Sequence, residues 1–211
     1  MSPRAQLARR RPRRRTHAER TAETRAAIMG AVVESISELG FKRSTASEIA
    51  RRAGVTWGAV QHHFGGKDGI LDAVLDDSFT RFSQRLSDVG VAGASLEERA
   101  ELFVDRAWEH FGSAHFRSTF EILQHYAASR PEHTWQGQML EAWNRVWSQL
   151  FDDRQLSRGR RIALQHYTIS VLSGLAAMLR FEAPSAPVRA LELQLLKDTL
   201  ARELGAKMAK R

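Results

Sequence analysis

No cysteine occurs among the 211 residues, which removes disulfides, thiolate metal sites and cysteine nucleophiles at once. No apolar run approaches the roughly 20 residues that a membrane-spanning helix needs. Period-two alternation is missing over any stretch long enough to make a strand. There is no G-x-S-x-G, and none of the eight histidines has another four positions away. A nucleophile elbow and a ready zinc pair are therefore both absent. Gly65-Gly66-Lys67-Asp68 carries Lys-Asp where a phosphate loop requires lysine followed by serine or threonine. These absences argue against an enzyme, a metal and a cofactor. The arginine-rich N-terminus has no apolar segment behind it, so no secretory signal is expected, and the expected location is the reducing cytoplasm.

What the chain does have is positive charge in one place. Its net charge is +8, yet residues 1–20 alone hold eight arginines against the single acid Glu19, a local balance of +7. Like charges repel and stay solvated, so residues 1–15 are expected to form a disordered arm that includes Arg13, Arg14 and Arg15. Such an arm is either a solubilising extension or a DNA-tracking element.

Every periodic segment reads as helical, and the spacing predicts nine helices. Thr16-His-Ala-Glu19 is a capping box that starts a first helix running to Leu39, with Gly40 as its stop. Thr45-Ala-Ser-Glu48 repeats the box, and Ile49, Ala50 and Ala53 supply one apolar face. Gly54 follows where the chain must turn through positive φ. Thr56 caps a second short helix whose inward side is Ala59, Val60 and Phe64. Two short helices hinged on a glycine form either an ordinary helical hairpin or a helix-turn-helix that lays its second helix in a DNA major groove. Longer helices are expected from Lys67 to about Ser87, from Ser95 to Phe111, from His115 to Ser129, and from Pro131 to about Asp152.

The last two helices, about 157–181 and 187–204, are apolar on more than one side. Ile162, Ile169, Leu172, Ala176 and Leu179 form one stripe of the first. Val188, Leu191 and Leu195 form one stripe of the second, opposite Leu193, Leu196, Leu200 and Leu204. A helix without a polar face needs covering on both sides. Either the monomer core is unusually deep, or a second copy covers Ile169, Leu172, Leu179, Leu191 and Leu195 in a two-fold dimer.

Gly40-Phe41, Thr45, Ile49-Ala50, Ala53-Gly-Val-Thr56, Gly58, His63-Phe64, Lys67 and Ile70-Leu71 together resemble the tetracycline-repressor (TetR) family of bacterial transcription regulators. The close match spans about residues 18–75. The resemblance implies an all-α fold with a three-helix DNA-binding domain at 16–66 and a ligand-binding and dimerisation domain at 67–211. It further implies a homodimer bound to a palindromic operator and released, as a repressor, by a small apolar or aromatic effector. An architectural DNA-binding protein without an effector is the alternative.

In this reading Thr45 and Ser47 touch phosphate, Thr56 adds a hydroxyl contact at the helix N-terminus, and Gly58 allows close backbone approach. Trp57 packs on sugar or a thymine methyl, or else against its own helix pair. His62, His63 and Lys67 match the family's backbone-contacting positions. Gln61 stands where the family usually has tyrosine, and its amide either reads adenine or bonds a phosphate. Among the many aromatics of the later helices, Phe120, Trp143, Trp147 and Tyr167, together with Gln124, are the candidate ligand-binding residues.

Overall fold

The computed structural model describes residues 16–87, 93–126, 135–154, 156–179, 181 and 186–206, with backbone alone at 135–140 and 186. The described residues form nine α-helices and no strand. They are α1 (His17–Leu39), α2 (Ala46–Ala53), α3 (Trp57–Phe64), α4 (Lys67–Ser87), α5 (Leu96–Phe111), α6 (Ala114–His125), α7 (Trp135–Phe151), α8 (Arg158–Met178) and α9 (Ala186–Gly205). One 3₁₀ turn, Phe41–Arg43, links α1 to α2. Arg13, Arg14, Arg15, Pro131 and the side chain of Trp135 lie outside the described residues.

Helix starts follow local side-chain chemistry. Thr16 Oγ1 accepts the Glu19 amide at 3.2 Å while the Glu19 carboxylate accepts the Thr16 amide at 2.6 Å. Ser95 and Glu98 repeat this reciprocal pair at 3.1 and 2.7 Å. Each such cap contributes about 1 kcal/mol. The box expected at Thr45 is only half formed. Thr45 Oγ1 accepts the Glu48 amide, but the Thr45 amide donates to Arg43 O at 2.9 Å. Freed from the cap, the Glu48 carboxylate pairs with arginines instead.

Two cores organise the chain. The first joins α1 through α4: Ile28, Val32, Ile36, Ile49, Val60, Ile70, Leu71, Val74 and Leu75 are buried together. Ile122 and Tyr126, from α6 and its end, belong to this same cluster. Polar contacts tie α6 to α1 and the turn after it. Ser118 Oγ donates to Val33 O at 2.8 Å, and the Phe41 amide donates to Glu121 Oε2 at 2.9 Å. The Phe41 ring stacks on His125 at 5.3 Å.

The second core is built from α4 to α9 around Phe103, Trp143, Trp147, Phe151, Leu172 and Leu196. Arg99 anchors α5 to the end of α7: its guanidinium binds both Asp153 carboxylate oxygens, at 2.7 and 3.0 Å, and donates to Leu150 O at 2.9 Å. That pairing holds the Asp153 carboxyl far below the usual carboxylate range.

The apolar stripes of α8 differ from the expected ones. Leu164, Gln165, Thr168, Leu172 and Ala176 are its buried residues. Gln165 reaches inward because its amide donates to Asn144 Oδ1 at 3.0 Å, and Thr168 because its hydroxyl returns to Leu164 O at 2.8 Å. Leu172 is therefore fully buried in the protomer, and Ile169 packs against the core. Leu172 is thus not free to meet a second copy, while Ile169 and Leu179 are half-buried. The large apolar side chains left exposed along and just after α8 are Ile162, Tyr167, Met178 and Phe181. On α9 the split is clean: Leu193, Leu196, Leu200 and Leu204 are buried, while Leu191 and Leu195 are 65% and 67% exposed.

Candidate nucleic-acid interface and effector cavity

The helix-turn-helix turns on Gly54, which caps α2 in the left-handed region at φ 66°. No side chain adopts that conformation as readily. The Val55 amide then donates back to Ala50 O at 3.1 Å, and Thr56 Oγ1 accepts the Ala59 amide at 3.2 Å. Gly65 closes α3 at φ 74°. This geometry leaves Thr56, Gly58, Gln61 and His62 exposed. Gly58, Gln61 and His62 stand at i, i+3 and i+4, one face of the helix. On α2, Ser47 and the cap residue Thr45 are exposed as well.

Three residues are more occupied than the sequence suggested. Trp57 is half-buried and packs on the first core. Half-buried Lys67 holds its ammonium 5.2 Å from the centroid of the Phe41 ring, within cation–π range. His63 is half-buried, and its carbonyl accepts a short bond from Arg25 Nη1. The Arg25 guanidinium also lies 4.1 Å from the Phe64 ring centroid. Arg25 thus clasps the end of α3 to α1. Nothing local signals this role, because its partners lie 38 residues further on.

A second unforeseen feature braces α2. Arg52 donates to Glu48 and to Glu38, each at 2.6 Å, and Arg51 donates to Glu48 at 2.7 Å. The bonds from Arg51 and then Arg52 hold the Glu48 carboxyl down at about 2. The bracket fixes α2 to the end of α1.

A cavity of about 180 Å³ lies in the second core. Rings make most of its wall: Phe82, His110, Phe111, Phe116, Phe120 and Trp143, with Phe79, Leu123, Ala142, Ile169 and Ser173 completing it. Phe82 stacks on Trp143 at 5.0 Å, and His110 meets Phe116 at 5.3 Å. Of the candidate ligand-binding residues, Phe120 and Trp143 line this space. Trp147 does not: it is buried edge-on to Phe103 and against Phe151. Gln124 and Tyr167 are exposed and outside the lining, because α6 and α8 turn those positions to solvent. Phe79, Phe82, His110 and Ser173 line the space without having been singled out. The Phe79–Phe82 spacing of three on one helix was a usable sign.

Burial, reinforced by the positive charges of His115, Arg85 and Arg81, pushes the His110 imidazole down to about 3. An unfolded histidine takes its proton near 6.5, whereas folded His110 refuses it until far lower pH. Stability therefore falls as pH drops from about 6.5 toward 3. His110→Phe is expected to remove about one proton from that dependence, read from denaturation midpoints between about pH 7 and pH 4. An unaltered dependence would show that His110 titrates normally in the fold.

Among the described residues no group of three or more acids and histidines is arranged to hold a metal ion. No described helix is long and apolar enough to cross a membrane.

Residues 28–74 match the model of the family described as bacterial regulatory proteins, tetR family. The HTH-type transcriptional regulator BetI of Escherichia coli O139:H28 is 42% identical over 159 residues, covering 74% of this chain and 68% of that protein. BetI of Burkholderia ambifaria is 31% identical over 170 residues, covering 78% of this chain and 72% of its own. The fatty acid degradation regulator FadR of Bacillus halodurans superposes with a TM-score of 0.66 at 17% identity, over 89% of this chain and 97% of that one.

Family model and relatives define a helix-turn-helix, DNA-binding transcription regulator. The chain belongs to the TetR family of bacterial regulatory proteins.

Proposed function

We propose that the protein acts as a homodimeric repressor whose operator is palindromic and whose effector binds in the Phe82–Trp143 cavity. One observation carries the reading. Helix α4 contributes Ile70, Leu71, Val74 and Leu75 to the first core and Phe79 and Phe82 to the cavity wall. Residues 70 and 82 are about 18 Å apart along a helix, so one rigid rod meets both sites. A ligand that displaces Phe79 and Phe82 moves the floor on which α3 rests. In a two-fold dimer that changes the distance between the two α3 helices, which must meet successive major grooves together. For repression to be relieved, the effector must favour the DNA-free state; a hundredfold coupling is about 2.7 kcal/mol.

Within this reading Thr45, Ser47, Thr56, Gly58, Gln61 and His62 face the DNA. Trp57, His63 and Lys67 contribute from the rim, Lys67 by turning from Phe41 to a phosphate. Leu191 and Leu195 form the centre of the dimer interface. The domain limits at 16–66 and 67–211 follow the same reading.

The test is binding to sites recovered by genomic footprinting, compared with random duplex at matched salt. A two-fold symmetric site bound about 10³-fold or more above random DNA is the expected result. Sequence-blind binding would instead favour the architectural alternative, to which the arginine-rich residues 1–15 are equally suited. Repeating the titration across salt tests that arm. Each neutralised phosphate contributes about −0.9 to the slope of log affinity against log salt, so deleting residues 1–15 is expected to flatten it by several units. An unchanged slope would dismiss the arm as a DNA contact.

A further inference from the structure

Helix α3 is short and lightly anchored. Of its eight residues Val60 alone is fully buried, with Trp57 and Phe64 half-buried against the first core. A rod held at one point is free to tilt, so what fixes its ends matters. The last carbonyls of any helix lack partners within it. At the end of α3 the Gly65 amide takes the Gln61 carbonyl at 2.8 Å, and Arg25 of α1 takes the His63 carbonyl. A cation is also favoured at a helix C-terminus by the helix dipole.

Arg25 does two things at once. Its Nη1 donates to the His63 carbonyl, while the guanidinium lies 4.1 Å from the centroid of the Phe64 ring. A guanidinium suits both tasks, because it carries donors along its edge and a flat face that stacks on aromatic rings. The side chain is half-buried and lines the cleft where α1 meets α4, beside Met29, Asp77 and Arg81, so it lies between helices. His63 directly follows Gln61 and His62, two exposed residues of α3. Any shift of the last turn therefore reaches both. Recognition contacts tolerate misplacement of only about 0.5 Å.

We propose that Arg25 is a positioning residue for sequence reading: it touches no DNA, and it fixes the last turn of α3 so that Gln61 and His62 meet the groove in register. The inference rests on α3 being the reading helix and is independent of any effector. Base contacts carry sequence information, whereas phosphate contacts elsewhere on the head do not. Loss of Arg25 therefore removes discrimination and spares general affinity.

Duplexes enriched by the natural protein from a randomised pool supply the specific probe, and the unselected pool supplies the random one. Arg25→Gln is expected to bind the enriched duplex about tenfold more weakly and the pool within about twofold of the natural protein. The slope of log affinity against log salt should stay the same. A purely structural role would leave the ratio of the two affinities untouched, since every molecule still folded would discriminate as before. A direct phosphate contact would weaken both probes alike and lower the slope by about 0.9, and that result overturns the proposal. So does undiminished discrimination. Should Arg25→Gln fail to fold, Arg25→Lys decides. A lysine cannot bond the carbonyl and cover the ring together, so discrimination is expected to fall about threefold, and full discrimination there overturns the proposal. If the natural protein enriches no duplex at all, the reading helix is refuted, and this inference with it.

Discussion

Gly58→Phe is expected to lower affinity for the operator by about 10³-fold, to the level of random DNA, while the protein stays folded. The two halves of that statement have separate grounds. Gly58 is exposed on the face of α3 that also carries Gln61 and His62. A benzyl group there holds the helix backbone away from the groove, and every contact along that face is lost together. Folding is spared because a Cβ at Gly58 meets only Thr56 Oγ1, at 3.8 Å, an ordinary van der Waals distance. Glycine within a helix also costs about 1 kcal/mol relative to alanine, so the replacement does not weaken α3. Circular dichroism and sedimentation should match the natural protein, and a gel-shift titration should not. Full operator affinity in the variant would mean that α3 does not enter the groove.

Leu191→Glu with Leu195→Glu is expected to yield a folded monomer that no longer holds the operator. Both leucines are about two-thirds exposed in the protomer, so the fold does not depend on them. Across a two-fold interface the pair becomes four side chains. At about 1.5–3 kcal/mol for a fully buried leucine, scaled to the two-thirds of each side chain that the interface covers, about 4 kcal/mol or more of association free energy is lost. That is a weakening of about 10³-fold before the repulsion of four carboxylates is counted. Sedimentation at micromolar concentration should show one copy. A surviving dimer would place the interface away from α9.

How much of this was legible in the sequence depended on the range of the interaction. Thr16 with Glu19 and Ser95 with Glu98 are complete within four residues, so those helices start where the sequence places them. Gly54 likewise acts through its own φ. The α8 stripe was misread because Gln165 and Thr168 occupy core positions, and what makes them acceptable there is Asn144 on α7 and a carbonyl one turn earlier. Hydrophobicity alone turns such a helix the wrong way. The cavity draws on α4, α5, α6, α7 and α8, from Phe79 to Ser173, and no local pattern marks a void bounded by so many segments. Arg25 was invisible for the same reason. Its value lies in a carbonyl and a ring that only the folded chain brings near.

The presence of Ile122 and Tyr126 inside the first core sets a condition on engineering this scaffold. Transplanting a reading head cut at residue 66 onto another body would strip away its lid of apolar side chains, together with the Ser118–Val33 and Glu121–Phe41 bonds. A head cut there also loses Ile70, Leu71, Val74 and Leu75 of α4. Chimeras therefore need matching residues at those positions as well as at 118, 121, 122 and 126, and simple cut-and-paste fusions should be destabilised.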